Sequence, residues 1–452
     1  FYDFFCGMGN STSDECPDEL KQWIGKEVLQ ELSKGYAKLK QGGKQVAEWS
    51  QSLSQHHGFK DLTSLTSKLV TLQALSHSSV HFDKYCTAFY TLLADPNPGK
   101  RSKACLSLVT NEEYVDMEAF YHDMCVVYQT HLPNVDGHRL SKGLERSLDL
   151  DGQREIQCVY LLKLCRDTFH GLLVWLEVFC LCAFLHVNHP KTLQAVQYLV
   201  PKLGSKSRFL DSTTTVFLSL AMPHWIETAS RAHAARVRAH TVDISRAAPA
   251  HPWPLLYDSL KVGRSLHSLK SALVGYAGPS VLIVSTTAGE VFGAYLPLPW
   301  EEHTDFSGNN DCFLFTLRPQ LRILPATGHK ENYVYFNASI ETKEKTYEKG
   351  IGFGGRIPYF RLYLDEELVS GSCLDFCATF EKGPLSASEK FDIESVEIWG
   401  CGDADSLLRL HSYQDTISAE VSKGRKVDRA MMFGETRWQD NADVALLKLA
   451  GV

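Results

Sequence analysis

In its first half the chain repeats apolar residues at helical spacing. In its second half it gathers them into short alternating or continuous runs. Leu20 to Lys40 carries Leu20, Trp23, Ile24, Val28, Leu29, Leu32, Tyr36 and Leu39 along one stripe, the recurrence of an amphipathic helix. Leu62 to Leu75, Val80 to Leu93 and Glu113 to Thr130 behave in the same way. Gly171 to Val187, GLLVWLEVFCLCAFLHV, is apolar almost throughout. It is at the short limit for crossing a bilayer and carries Glu177 in its middle, so a buried core helix is expected. From about Trp253 the period changes. Val281 to Val284 and Val291 to Tyr295 flank the turn signal Thr286-Thr287-Ala288-Gly289 and predict a hairpin. Cys312 to Phe315 is apolar at every position, as in a strand covered on both faces. Val396 to Trp399 alternates, while Leu266 to Val274 and Ser386 to Phe391 are the few helix-like pieces. The pattern is α+β: a helical region, then short strands expected to form two packed antiparallel sheets.

The densest feature is a run of glycines, Gly350, Gly352, Gly354 and Gly355, feeding the strand-like Tyr359 to Leu364. A phosphate-binding loop would require Lys-Ser/Thr after the last glycine, and the chain has Arg356-Ile357-Pro358. A dinucleotide fingerprint would require a helix there, and the alternation of Phe360, Leu362 and Leu364 points to a strand. These glycines are expected to be structural, forming a turn that feeds a strand.

Six segments between Trp253 and Gly402, in order, resemble the TLDc domain. They are the stretch from His251 to Leu269, the hairpin GPSVLIVSTTAGEVFGAYLPLPW, NNDCFLFTLRP, NYVYFN, the glycine-rich signature with PYF and LYLDEEL, and the closing LSASEKFDIESVEIWG. The resemblance covers about a third of the chain and makes Gly350, Gly352, Gly354 and Gly355 its structural signature. The expected organisation is an N-terminal segment over residues 1–16, a helical EF-hand-like region over 17–228, a linker over 229–250, the TLDc domain over 251–402 and a C-terminal helical extension over 403–452.

The flanking regions carry further signals. Met8 opens MGNSTS, the N-myristoylation pattern with Gly9 as acceptor and Ser13 at the favoured position. Residues 1–7 then read as upstream of the start. One acyl chain holds a membrane only marginally, so a second hold is needed. A palmitoyl group on Cys16 or a protein partner could supply it. Ser147 to Gly152 resembles the first half of an EF-hand loop with Ser147 in first place, but the twelfth place, where a bidentate Glu belongs, is Cys158. A helix–loop–helix shape without a tight calcium site is expected. Residues 229–250, rich in Ala, Arg and His, read as a flexible linker or as translated intron. The tail can end in a short helix capped by Asp440 or Asn441, with Trp438, Leu446, Leu447 and Leu449 on its apolar side. Two outcomes are open: it folds back, or it docks in a partner's groove through those four residues.

Composition narrows the function classes. The net charge of −7 and the lack of a basic domain give no electrostatic reason to expect nucleic acid. Thirteen cysteines at irregular spacing fit reduced thiols rather than a disulfide framework. There is no G-x-S-x-G elbow, no HExxH and no paired zinc motif. Asp365-Glu366-Glu367 reads as a solvated acidic edge. An enzyme, a metal and a cofactor are therefore not expected. The family resemblance implies a binding module for peripheral subunits of the vacuolar proton-pumping ATPase. The order of helical region and TLDc-like domain, with MGNS at the start, resembles the family's MTOR-associated lysosomal branch. That implies MTOR-pathway partners, oxidative-stress resistance and a cytoplasmic location, peripheral on the lysosomal membrane. The rival reading is a stress-resistance protein acting directly through the thiols of Cys312, Cys373, Cys377 or Cys401, which needs an exposed cysteine of low pKa.

Overall fold

The computed structural model describes residues 15–41, 62, 68–69, 81–148, 154–185, 201–223, 252–341, 347–402 and 405–413, short of a few single positions. The helical lobe contains α1 (Asp18–Lys21), α2 (Lys26–Gln41), α3 (Phe82–Phe89, running into a π turn at Tyr90–Ala94), α4 (Pro98–Leu106), α5 (Met117–His131), α6 (Gly137–Leu148), α7 (Cys158–Asp167), α8 (Val174–Leu185) and α9 (Ser212–Ala221). α8 is the core helix expected from its composition. Trp175, Leu176, Phe179, Cys180 and Phe184 are all fully buried. Its part-buried Glu177 faces the fully buried Arg101 at 3.8 Å, and desolvation still raises the Glu177 carboxyl above its ordinary range. Among the described residues no helix is long and apolar enough to cross a membrane.

Short strands β1 (Thr110–Asn111), β2 (Tyr114–Asp116) and β3 (Glu155–Gln157) tie two helix–strand–helix units together. Val115 lies opposite Ile156 in the antiparallel β2–β3 pair. The helix expected from Glu113 therefore begins later, at Met117. Asp116 stops the strand and caps α5, accepting from the N–H groups of Glu118 and Ala119. The EF-hand loop register expected from Ser147 is also overturned. Ser147 lies inside α6, where its Oγ donates to the Gly143 carbonyl and accepts from the Ile323 N–H. Cys158 is the first residue of α7.

The C-terminal half forms β4 (Leu255–Asp258), α10 (Ser259–Val262), α11 (Leu266–Leu273), β5 (Ser280–Thr286), β6 (Val291–Leu296), β7 (Phe313–Arg318), β8 (Arg322–Pro325), β9 (Val334–Asn337), β10 (Gly350–Arg356), β11 (Tyr359–Asp365), β12 (Ser370–Cys373) and β13 (Lys390–Gly400). Ten strands make one antiparallel sheet, nine along the path β8-β7-β6-β5-β13-β12-β11-β10-β9 and β4 off it, paired with β13. β13 joins two leaves. Its first residues pair with β12, and after a register shift near Ile393 the rest pairs with β5 and β4. The expected sheets are thus continuous through this one strand, and their facing sides share an apolar core of Leu282, Val284, Leu314, Ile351, Leu362 and Leu364. The expected helix at Ser386–Phe391 is not formed. Glu290 accepts from the Ser386 hydroxyl and the Ala387 N–H, and Phe391 packs edge-on against Phe292, drawing the chain into β13. Outside β8, Thr327 and Glu381 close backbone bonds with Thr379 and Pro325. Outside β9, Ser307 exchanges bonds with Val334. Both sheet ends are covered against edge pairing.

The helical lobe lies on the outer side of the first leaf. Along β5, Val281 and Ile283 belong to the helical lobe's core, while Leu282 and Val284 belong to the core between the leaves. β7 divides in the same way, with Phe313 and Phe315 on one side and Leu314 on the other. Strands covered on both faces carry apolar residues at every position, as Cys312–Phe315 predicts. α6 approaches β8 at Gly143, where a Cβ would meet that of Leu321 at 2.7 Å.

Candidate functional site

The glycine signature is part of a strand rather than a turn. Gly350–Arg356 is β10 itself, and the reversal comes at Ile357-Pro358, between the paired Arg356 and Tyr359. The glycines are needed because rings from β11 lie across the β10 backbone. A Cβ on Gly352 would stand 2.2 Å from the Phe360 ring. Phe360 stacks with Tyr363 at 5.2 Å and meets Tyr335 at 5.3 Å, so three aromatic rings close over this strand. Gly355 adopts φ +78°, and a Cβ there would lie 2.4 Å from the Tyr359 carbonyl, a backbone conformation and clearance that favour glycine. The signature is a structural support with no chemistry of its own.

That support ends in an exposed apolar tip. Ile357 and Tyr359 sit at the β10–β11 reversal, and Leu374 and Phe376 follow β12. The Leu374 N–H bonds the Arg361 carbonyl, extending the register that pairs Leu362 with Cys373. Tyr359 is 63% exposed and Phe376 70%. The Arg356 guanidinium stands 5.3 Å over the Tyr359 ring. Large apolar side chains grouped at a surface and rimmed by charge mark contact sites for other macromolecules. Sequence reasoning did not single out these residues. The available signal was apolar side chains continuing past the strand ends.

A second missed cluster joins the two lobes. Glu397, 1% exposed on β13, accepts from the Trp399 indole at 2.9 Å, the Ser207 hydroxyl at 2.8 Å and Arg208 Nε at 3.2 Å. Arg208 also donates through Nη2 to Asp258 at 2.8 Å. Burial pushes the Asp258 carboxyl up, but the Leu260 N–H, Arg208 and Lys261 together outweigh it and hold the group below its ordinary range. With the backbone bonds between Lys202, Gly204 and Trp253, this clamps residues 202–208 to β4 and β13. Glu397 occupies a polar position in an alternating strand, and only the tertiary contact buries it.

An open cleft of about 700 Å³ lies where β12 meets β13, beside the β5–β6 turn. Thr286, Ser370, Ser372, Ser386 and Ser388 line it together with Glu290 and Asp392, and no imidazole is among its lining residues. Of the acidic run, Asp365 accepts from the Val369 and Ser370 N–H groups, organising its turn. Cys312, Cys373, Cys377 and Cys401 are all buried. Burial raises the Cys312 thiol to about 12 and lifts those of Cys373 and Cys401 as well, which leaves little thiolate at neutral pH. Among the described residues no group of three or more His, Cys, Asp or Glu could hold a metal ion. Gly9, Trp438, Leu446, Leu447 and Leu449, the linker at 229–250 and residues 149–153 of the expected EF-hand loop lie outside the described residues. Cys16 is 6% exposed and packed into the helical core, so an acyl chain there would first require the residue to leave its site.

Residues 232–402 match the TLDc domain. The chain is 35% identical over 155 residues to the MTOR-associated protein MEAK7 of Gallus gallus, covering 34% of this chain and 32% of that protein. The Homo sapiens MEAK7 is 32% identical over 155 residues, covering 34% of this chain and 33% of the relative. Oxidation resistance protein 1 of Bos taurus is 31% identical over 149 residues, covering 33% of this chain and 16% of the relative. The alignments span about a third of the length of the MEAK7 relatives. The ten-stranded half, with its glycine-supported aromatic tip, is therefore a TLDc domain, homologous to that of the MTOR-associated MEAK7 proteins.

Proposed function

We propose that this chain is a non-enzymatic interaction protein linked to MTOR signalling, which docks through its TLDc domain on a peripheral subunit of the vacuolar proton-pumping ATPase at lysosomal membranes. The observation that carries the reading is the exposed tip of Ile357, Tyr359, Leu374 and Phe376, on the part of the TLDc domain that the helical lobe leaves uncovered. Homology to MTOR-associated proteins and to an oxidation resistance protein supports it. The acyl group at Gly9 brings the chain to the membrane, and the terminal segment with Trp438, Leu446, Leu447 and Leu449 makes a second contact. Two linked contacts raise the effective affinity without either being strong. The paired helix–strand–helix units are EF-hand-like in form, with Ser147 inside α6 and Cys158 at the start of α7 rather than at the ends of a calcium loop. Capture of detergent-solubilised pump by the immobilised chain tests the docking. Recovery of peripheral subunits, lost with the Tyr359→Ala, Phe376→Asp double variant, is expected. Recovery no greater than on blank resin overturns it. The direct-thiol reading has less support, since its four cysteines are buried and burial raises the thiols of Cys312, Cys373 and Cys401.

A further inference from the structure

Arg361 on β11 is a fully buried cation, 0% exposed. Its stem leaves the strand through a tight slot. A Cβ on nearby Gly354 would stand 3.0 Å from the Arg361 Cβ and from Cys377 Sγ, and 2.9 Å from the Phe380 ring. Nη2 donates to the Gly383 carbonyl, but Nε and Nη1 have no hydrogen-bond partner. The Asp375 carboxylate acts on the guanidinium from a distance, and among the described residues none forms an ion pair with it. Arg322, on β8 of the other leaf, reaches the same place: a Cβ on Gly383 would come within 2.8 Å of its Nη1. The two guanidiniums therefore have one glycine as a common neighbour. The loop from Leu374 to Gly383 closes over Arg361. The Leu374 N–H bonds the Arg361 carbonyl at 2.9 Å, and the Gly383 N–H bonds the Asp375 carbonyl oxygen of the backbone at 3.0 Å. Thr379 of this loop is 1% exposed, and its hydroxyl is also unpartnered.

A buried guanidinium with unmade bonds is costly unless an acceptor and a negative charge are brought to it. Burial lowers the proton affinity of Arg361, and the Arg322 charge acts in the same sense, yet an arginine stays charged at neutral pH. Unpartnered buried donors of this kind point to a bound water or ion. Water can accept the two N–H bonds but leaves the charge of the two arginines unopposed. An anion supplies both. We infer that Arg361, with Arg322 beside it, holds a small inorganic anion, a halide such as chloride, beneath the loop Leu374–Gly383. The surrounding Cys373, Cys377 and Phe380 are buried, which favours a monatomic ion over a bulky, strongly hydrated oxyanion. The ion would tie the two leaves together where Arg322 of β8 and Arg361 of β11 approach Gly383. It would also fix the loop that carries the exposed Leu374 and Phe376, whatever docks on them.

The full chain is dialysed into sodium gluconate, and its thermal midpoint is followed as chloride replaces gluconate at constant ionic strength. The midpoint is expected to rise by a few degrees and to saturate, as for any ligand that binds only the folded state. Bromide should reproduce the rise, and Arg361→Met, which keeps the length of the side chain without its charge, should abolish it. An equal rise in Arg361→Met is a general salt effect and overturns the inference. So does a wild-type midpoint blind to chloride, which leaves only water at the guanidinium. A larger rise with phosphate overturns the choice of a halide. Where Arg361→Met folds poorly, wild-type crystals grown in bromide decide the matter. An anomalous peak at the Arg361 guanidinium supports the site, and its absence there overturns it.

Discussion

The two leaves of the TLDc domain are built from the same antiparallel ladder but bury their outer faces differently. The leaf of β4 to β8 is covered by another lobe: Val281, Ile283, Phe313, Phe315 and Ile323 share a core with the helices. The leaf of β9 to β12 covers itself, laying Tyr335, Phe360 and Tyr363 across its glycines. The first leaf needs apolar residues at every position and a partner lobe. The second needs glycines and long aromatics, and its tip stays free for something else. A sheet face can therefore be closed at a distance by other parts of the chain or locally by its own side chains. Only the local solution leaves the domain's end open to a partner.

The largest expected effect comes from removing the covering lobe. A fragment of residues 252–413 would bare the outer face of the first leaf and should aggregate or elute as large species in size-exclusion chromatography. A soluble monomer that melts like the intact chain would break the comparison. Next comes the clamp that seats the lobe. Arg208→Ala leaves the carboxylates of Glu397 and Asp258 buried without their guanidinium and should cost about 3 kcal/mol in urea unfolding at neutral pH. The pH dependence follows from the folded Asp258 carboxyl, which lies below its unfolded value. Its stabilisation is fully present above about pH 4, the unfolded carboxylate range, and is lost as pH falls through the lower folded value. The gap between wild type and Arg208→Ala should therefore narrow on acidification, and a gap that stays constant from neutral pH to pH 3 would argue against the clamp.

A smaller effect is expected within the self-covered leaf. Gly352→Ala forces the Phe360 ring aside, and overpacking of this kind typically costs about 1–3 kcal/mol. The thermal midpoint should fall, and pairing the change with Phe360→Ala should recover part of the loss. No recovery would mean that the ring is not what the glycine accommodates. The smallest effect on stability, within about 0.5 kcal/mol, belongs to Phe376→Asp at the exposed tip. If this change unfolds the chain, the tip is structural and the contrast between the leaves fails.

Much of the architecture was legible in the residues. The hairpin at Val281–Tyr295, the doubly buried run at Cys312–Phe315, α11 and the core helix α8 follow from period, turn residues and composition, which act locally. The errors share one cause. Glu113–Asp116 has apolar residues at helical spacing, yet Val115 finds Ile156 across a ladder. Ser386–Phe391 could form a helix, yet Glu290 captures Ser386 and Ala387 from across the sheet. Ser147 looks like a loop ligand, yet it caps the contact between α6 and β8. In each case a partner remote in sequence outweighed a local preference of a fraction of a kcal/mol per residue.

By itself the sequence determined the α+β class and the order of helical region before sheet, because hydrophobic period is a property of neighbouring residues, whereas glycine is needed along β10 because rings of the paired strand β11 lie across it. Only the tertiary structure decided that the helical lobe covers one leaf, that Glu397 and Asp258 become a buried clamp for Arg208, and that Tyr359 and Phe376 remain bare at the tip. Burial and charge pairing depend on which distant segments come together, and that is fixed by how whole faces close against one another.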